Sequence, residues 1–151
     1  MITENTPYGT MLEDKHRPGH FSGMLTVVLK LFLLIKPARA YFGEKDYQQF
    51  KLIKDMSKAF LLEVEVISCP TIRNQYGFPF SSRNNLLSSN ELTKASLFSE
   101  LLNSGLKTQD IKSQLEQEDF KVDYIEEYDS RRFGAVRFKN VRLIDNIKVE
   151  E

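Results

Sequence analysis

The sequence holds a single cysteine, Cys69, and only seven glycines and five prolines among its 151 residues. One thiol cannot close an internal disulfide, and no cysteines and histidines stand together at metal-ligand spacing. Neither a disulfide framework nor a resident metal site is predicted, and a reducing, cytoplasmic setting fits. The scarcity of glycine and proline excludes collagen-like and low-complexity chains. No charge of one sign dominates, since 21 basic residues face 21 acidic ones. Neither the part before Pro70 nor the part after it is basic, which argues against nucleic acid bound through counterion release. A long apolar run is missing too. Met24 to Ile35 comes nearest, but Lys30 interrupts it and a membrane span needs roughly twenty apolar residues. It reads as a buried helix, with no membrane partner. The opening segment, Met1 to Lys15, is polar and acidic, unlike a targeting signal.

What is present suffices for one compact domain or two small ones: the chain is 41% hydrophobic and carries eleven phenylalanines. Leu25, Val28, Leu29, Phe32 and Ile35 recur at helical spacing from a start at Ser22-Gly23. Pro37 ends the pattern, and Lys36 before it should leave the helix. Ala38 to Phe42 reads as a short buried strand stopped by Gly43. Asp46 is the expected N-cap of a second helix, Tyr47 to about Phe60, with Phe50, Ile53, Met56 and Phe60 on its buried face. Leu62 to Ile67 alternates as a half-buried strand. This order has the rhythm of parallel α/β units. From Pro70 to Asn85 the texture changes to a loop with few apolar anchors and no period. Two helices, Leu92 to Leu102 and Thr108 to Leu115, part at Gly105. Three strand-like runs follow: Val122 to Tyr128, Gly134 to Phe138, and Val141 to Val149. The predicted fold class is α/β: an incomplete Rossmann-like parallel part over 1–70, then a small α+β domain with an antiparallel sheet over 71–151. Two strands flanked by two helices leave much apolar surface uncovered, as in the second half of a larger protein.

Three polar clusters stand at the ends of these elements. His16-Arg17-Pro18-Gly19-His20-Phe21 precedes the first helix, where imidazoles and a guanidinium can bind a carboxylate or phosphate. The plain alternative is a solvated loop. Gly43-Glu44-Lys45-Asp46-Tyr47-Gln48-Gln49 follows a strand and opens a helix. Ligands of open α/β sheets bind outside the carboxyl ends of strands. Free amides at the helix start attract anions, and Lys45 adds a mobile positive charge. The alternative is a charged turn in which Glu44 and Asp46 favour the helix start. The third cluster, Phe80-Ser81-Ser82-Arg83-Asn84, offers two hydroxyls and a guanidinium to a phosphate chain; taken alone it would be a serine-rich linker.

Taken together, the runs HRPGHFSGMLTVVLKLF, YFGEKDYQQ, CPTIRNQYGFPFSSRN and VRLIDNI resemble, in order and spacing, the pantoate–β-alanine ligase (pantothenate synthetase) family. The resemblance runs from about Leu12 to Val149 and is to the family's C-terminal portion. It implies an ATP-dependent ligase of pantothenate and coenzyme A biosynthesis, with ATP as co-substrate and magnesium expected alongside it. ATP and pantoate would give a pantoyl adenylate and pyrophosphate; the β-alanine amine would then release AMP. Carried over by motif, Gly43, Glu44, Lys45 and Asp46 belong to the ATP site, with Lys45 on the phosphates. Ile72 would touch the nucleotide. Phe80, Ser81, Ser82 and Arg83 would form the counterpart of the KMSKS loop, and Lys45, Ser81, Ser82 and Arg83 would act in catalysis. Gln49 would hydrogen-bond pantoate, Val27, Val28 and Phe42 would form its apolar wall, and Arg17 and His20 would lie near the carboxylates. Full-length relatives are expected to be homodimers.

The sequence also departs from the family pattern. The half bearing a HIGH-like signature is absent, and neither His16 nor His20 sits in an M-G-x-x-x-x-G-H context. Asp14 stands where the family's entry motif has glycine, and Pro79-Phe80 replaces Ala-Met or Ala-Leu before the serine pair. A second reading is therefore a truncated, non-catalytic fragment that keeps a partial nucleotide-binding or partner-binding surface. A third, an unrelated adenylyltransferase, is weakened by the context of Gln49.

Overall fold

The computed structural model describes residues 11–149. The chain divides into two compact units, Met1–Pro70 and Thr71–Glu151. In the first, a single turn α1 (Glu13–His16) leads into α2 (His20–Ile35), then β1 (Arg39–Gly43), a 3₁₀ turn (Glu44–Asp46), α3 (Tyr47–Ala59) and β2 (Glu65–Cys69). In the second, a 3₁₀ helix (Ser82–Leu86) precedes α4 (Ser89–Leu102), α5 (Thr108–Gln117), β3 (Lys121–Tyr128), β4 (Arg131–Phe138) and β5 (Val141–Lys148). The sheets are separate: β1 and β2 pair in parallel, and β3-β4-β5 form an antiparallel meander. The parallel-then-antiparallel expectation is met.

α2 ends where Lys36 turns left-handed (φ 49°) and its N–H donates to the Phe32 carbonyl at 2.8 Å. Pro37 then blocks continuation. One face of the helix buries Phe21, Leu25 and Phe32; α2 packs on α3, whose Phe50, Ile53 and Met56 are buried as well. Its other face is bare, with Val27, Leu33, Leu34 and Ile35 more than half exposed. Between Tyr47 and Ala59 the helical period is as expected, but Phe60 falls beyond the helix and is half exposed. Asp46 holds the N-cap position without a side-chain cap hydrogen bond.

Both strands of this unit differ from expectation. β1 begins and ends one residue later than expected and is not buried: its residues alternate between exposed and half-buried. A two-stranded sheet has too few neighbours to cover both faces. β2 starts at Glu65, because the backbone before it serves the end of α3. Leu61 has φ 53°, and Leu62 N–H donates to the Ser57 carbonyl at 2.9 Å.

The second unit has the fuller core. Ser88 and Glu91 form a reciprocal capping box at the start of α4, each side chain satisfying a backbone donor of the first turn. The Ser88 hydrogen bonds, backbone first and hydroxyl second, hold the Glu91 carboxyl below its ordinary range. α4 packs on β4 and β5, and α5 on β3. Phe98, Leu102, Ile111, Leu115 and Val136 are fully buried between them, and Phe120 stacks on Phe138 with ring centroids 4.7 Å apart. β3 and β4 are joined through Asp129 and Ser130, both at φ 54°; positive φ at both central positions matches the twist of a two-residue hairpin.

Residues 70–85 are better anchored than their composition suggests. Phe78 is 2% exposed, and Pro79 pairs with Arg73 in an isolated antiparallel bridge. Phe78 and Pro79 turn inward, whereas Ile72 and Phe80 stay exposed.

Candidate functional site

The carboxyl end of β1 delivers Gly43 directly into the Glu44–Asp46 turn and the start of α3. Gly43 has ordinary extended dihedrals, and a Cβ added there would meet nothing within 4 Å, so the space beside it is open to a ligand. Lys45 Nζ lies 3.8 Å from Asp46 Oδ2, with the Lys45 side chain one-fifth exposed. An ion pair this long, with its acid half exposed, contributes little by itself. Gln49 lies on the first turn of α3, half-buried, and its amide makes no hydrogen bond among the described residues.

The neighbouring Gln48, which the sequence did not single out, is the buried one. It donates from Nε2 to the Met11 carbonyl at 2.8 Å, and its Oε1 accepts from Glu13 N–H at 3.3 Å. It ties the segment entering the fold to α3. Just downstream, Arg17 reaches back to Glu13 at 3.9 Å, and the His20 ring leans on Phe21 at 5.4 Å. Of the expected apolar wall, Val27 is well exposed on α2, Val28 is half-buried, and the Phe42 ring meets Phe32 edge-on at 6.5 Å. A groove of about 520 Å³ opens beside Phe32, Lys36, Pro37 and Leu62. It lies at the amino ends of β1 and β2, the end away from Lys45, whereas ligands of such sheets bind at the carboxyl end.

The second unit carries the other patch. Ile72 and Phe80 are both largely exposed, and the Phe80 N–H donates to the Ile72 carbonyl at 3.1 Å. Ser81 caps the 3₁₀ helix, its hydroxyl accepting from Arg83 N–H at 3.3 Å. Ser82 and Arg83 face solvent, and the Arg83 guanidinium has no partner among the described residues. Beneath them Asn84 is buried and donates from Nδ2 to the Pro79 carbonyl at 2.9 Å; its Oδ1 has no partner among the described residues. The arrangement presents two hydroxyls and a guanidinium outward on a short, internally bonded turn.

Arg73 and Asp145 also escaped the sequence reading. Arg73 donates to both carboxylate oxygens of Asp145, at 2.8 and 2.9 Å, and Ser99 donates to the same carboxylate at 2.7 Å. A signal was available. Val141, Leu143 and Asp145 share the inward positions of β5, so an acid on that face demanded a buried partner.

A sequence profile of the pantoate-beta-alanine ligase family matches residues 1–148. The chain belongs to this family. Pantothenate synthetase of Coxiella burnetii (strain Dugway 5J108-111) is 53% identical over 135 residues, covering 89% of this chain and 52% of that protein. The Legionella pneumophila (strain Lens) pantothenate synthetase is 49% identical over 145 residues, covering 96% and 57%. Among solved structures, the pantoate-beta-alanine ligase of Francisella tularensis, complexed with beta-gamma ATP and beta-alanine, superposes with a TM-score of 0.90 at 42% identity. That match covers 97% of this chain and 57% of the Francisella one. Pantothenate synthetase of Thermus thermophilus gives 0.86 at 34% identity, over 99% and 63%. The chain thus spans about half the length of the relatives it matches.

Proposed function

We propose that this chain serves the ATP-dependent condensation of pantoate with β-alanine. In that reaction the pantoate carboxylate attacks the α-phosphorus of ATP, forming pantoyl adenylate and expelling pyrophosphate. The β-alanine amine then attacks the acyl carbon and AMP departs. The observation that carries the reading is the close superposition on the Francisella ligase, a protein complexed with beta-gamma ATP and beta-alanine.

The chemistry of the two patches supports it. Negative charge builds on phosphate oxygens in both steps, and preorganised cations and hydroxyls stabilise such charge. Lys45, beside the open backbone of Gly43 and flanked by Glu44 and Asp46, supplies one cation. Arg83, with Ser81 and Ser82, supplies the second, and Ile72 and Phe80 offer apolar surface to the nucleotide. Gln49, with an uncommitted amide, suits a hydroxyl or carboxylate of pantoate; Val27, Val28 and Phe42 suit its methyl groups. Arg17 and His20 stand as hydrogen-bond donors for substrate carboxylates. Among the described residues no three carboxylate, imidazole or thiol groups converge on a metal position. Magnesium is expected, in this proposal, to arrive with the ATP.

The 1–70 unit would be part of the Rossmann-like catalytic domain and the 71–151 unit its small lid. Because the chain spans about half of its relatives, a second reading stands beside the first: a non-catalytic piece retaining nucleotide affinity. One experiment separates them. The purified chain is mixed with ATP, magnesium, pantoate and β-alanine, and AMP and pantothenate are followed. Pyrophosphate, AMP and pantothenate in equal amounts establish the ligase reading for the chain alone. ATP binding without AMP favours the second reading, and turnover regained on adding the part of a relative that this chain does not span would make the chain one part of a split ligase. Absence of any ATP binding sinks both.

A further inference from the structure

We propose that Asp145 is a positioning residue for the 72–83 segment and acts on it through Arg73. The Asp145 side chain on β5 is wholly buried. Its oxygens accept two bonds from Arg73, at 2.8 and 2.9 Å, one from Ser99 Oγ at 2.7 Å and one from the Asn146 N–H at 2.8 Å. Four donors fill the sites of one carboxylate.

What Arg73 does with its remaining bonds gives the pair its meaning. Nη1 also donates to the Gly77 carbonyl at 2.9 Å, across a turn in which Gly77 has φ +72°. Asn74 Oδ1 accepts from Tyr76 and Phe78 N–H, both at 3.0 Å. The Arg73 backbone bridges to Pro79, and Ile72 receives the Phe80 N–H. The guanidinium therefore joins the sheet to the turn, and the turn sets where Phe80, Ser81 and Arg83 begin. A bidentate fork fixes direction as well as distance. A buried ion pair adds little net stability over an apolar pair of the same shape, so its distinctive contribution here is a fixed geometry. That the segment so held contacts nucleotide rests on the ligase reading; the clamp itself does not.

Hydrogen exchange on the full chain tests this in the wild type, Asp145→Asn, Arg73→Met, the double variant and Ser99→Ala. Asp145→Asn should speed exchange at the Tyr76, Gly77, Phe78 and Phe80 amides about tenfold or more, while the paired amides of β3 and β4 stay within about twofold. The double variant should be no faster than Arg73→Met, because Asp145 acts on the loop only through Arg73. Ser99→Ala, which leaves the Arg73 fork in place, should leave the loop near wild type. Where Asp145→Asn does not fold, Arg73→Lys, on the partly exposed partner, carries the same comparison. An unchanged loop, an equal rise through all three strands, or additive effects in the double variant would overturn the proposal. ATP titration runs in parallel. A wild-type chain that binds no ATP removes the ligase reading and leaves the exchange result to decide the clamp. Equal ATP affinity in wild type and Asp145→Asn removes the consequence for nucleotide.

Discussion

Phe98 rests its ring edge on the backbone of Gly134: a Cβ built at Gly134 would lie 2.7 Å from Phe98 Cε2 and 3.0 Å from Ile125 Cδ1. This contact lets α4 approach the middle of β4. Phe98 is fully buried and has no free volume to retreat into. Gly134→Ala is therefore expected to cost about 1–3 kcal/mol through overpacking, read as a lower urea midpoint with an unchanged slope. Gly134→Ala combined with Phe98→Leu should recover part of the loss. Wild-type stability in the single variant would contradict the packing described.

Arg132 closes the far end of α4. Its guanidinium donates to the carbonyls of Leu102, Ser104 and Leu106 at 2.9, 2.7 and 2.9 Å, and to Glu127 at 2.8 Å. Carbonyls at a helix end have no partner within the helix. Arg132→Met keeps the aliphatic stem and removes all four bonds; the buried Leu102 carbonyl alone costs about 1–3 kcal/mol when unmet, and the part-buried Ser104 and Leu106 carbonyls add to it. We expect a larger loss than for Gly134→Ala. Exchange should rise first at the amides of the loop between α4 and α5.

Acid should act through Asp123. Burial raises its carboxyl, but the hydrogen bond and charge of Arg142, with help from Arg137, outweigh that and hold it below the ordinary 3.8. A depressed folded value gives stability that is fully present above 3.8 and is lost as the pH falls through the lower folded value. Asp123→Asn should flatten the stability profile below pH 3.8 and lower stability at neutral pH. Denaturant midpoints measured at a series of pH values check both. An unaltered acid limb would mean that other carboxylates dominate it.

Lys45→Ala tests the nucleotide site. A charge-assisted contact to phosphate is worth about 1.5–3 kcal/mol, roughly ten- to a hundredfold in affinity. Calorimetric titration with ATP should show that loss, and Lys45→Arg should recover much of it. Lys45 is a partly exposed residue on a 3₁₀ turn, so melting temperatures should stay close to wild type. Unchanged ATP affinity in Lys45→Ala would remove Lys45 from the proposed site.

Much of the fold was legible because period and punctuation act locally. The spacing from Leu25 to Phe32 and the stop at Pro37 place α2. β2 was misplaced for a physical reason. Leu62 looks like the first residue of a strand, yet its N–H belongs to the Ser57 carbonyl, and no pattern of side chains records which carbonyl a backbone donor will find. The site divides in the same way. Motifs single out Lys45, Ser81 and Arg83 as candidates, whereas no motif points to the bonds of Gln48, Arg73 and Asp145, since the groups that satisfy them lie far along the chain.

The amino-acid sequence by itself determined the order of helices and strands, the parallel and antiparallel halves and the family resemblance. All of these follow from residues within a few positions of one another or from linear motifs. Only the tertiary structure decided that β1 stays half-exposed, that Phe78 and Pro79 anchor a loop that reads as unanchored, and that Asp145 takes Arg73 as its partner 72 residues away. Burial and ion pairing depend on which surfaces the folded chain brings together, and a buried carboxylate is satisfied by whichever donor arrives, however distant in sequence.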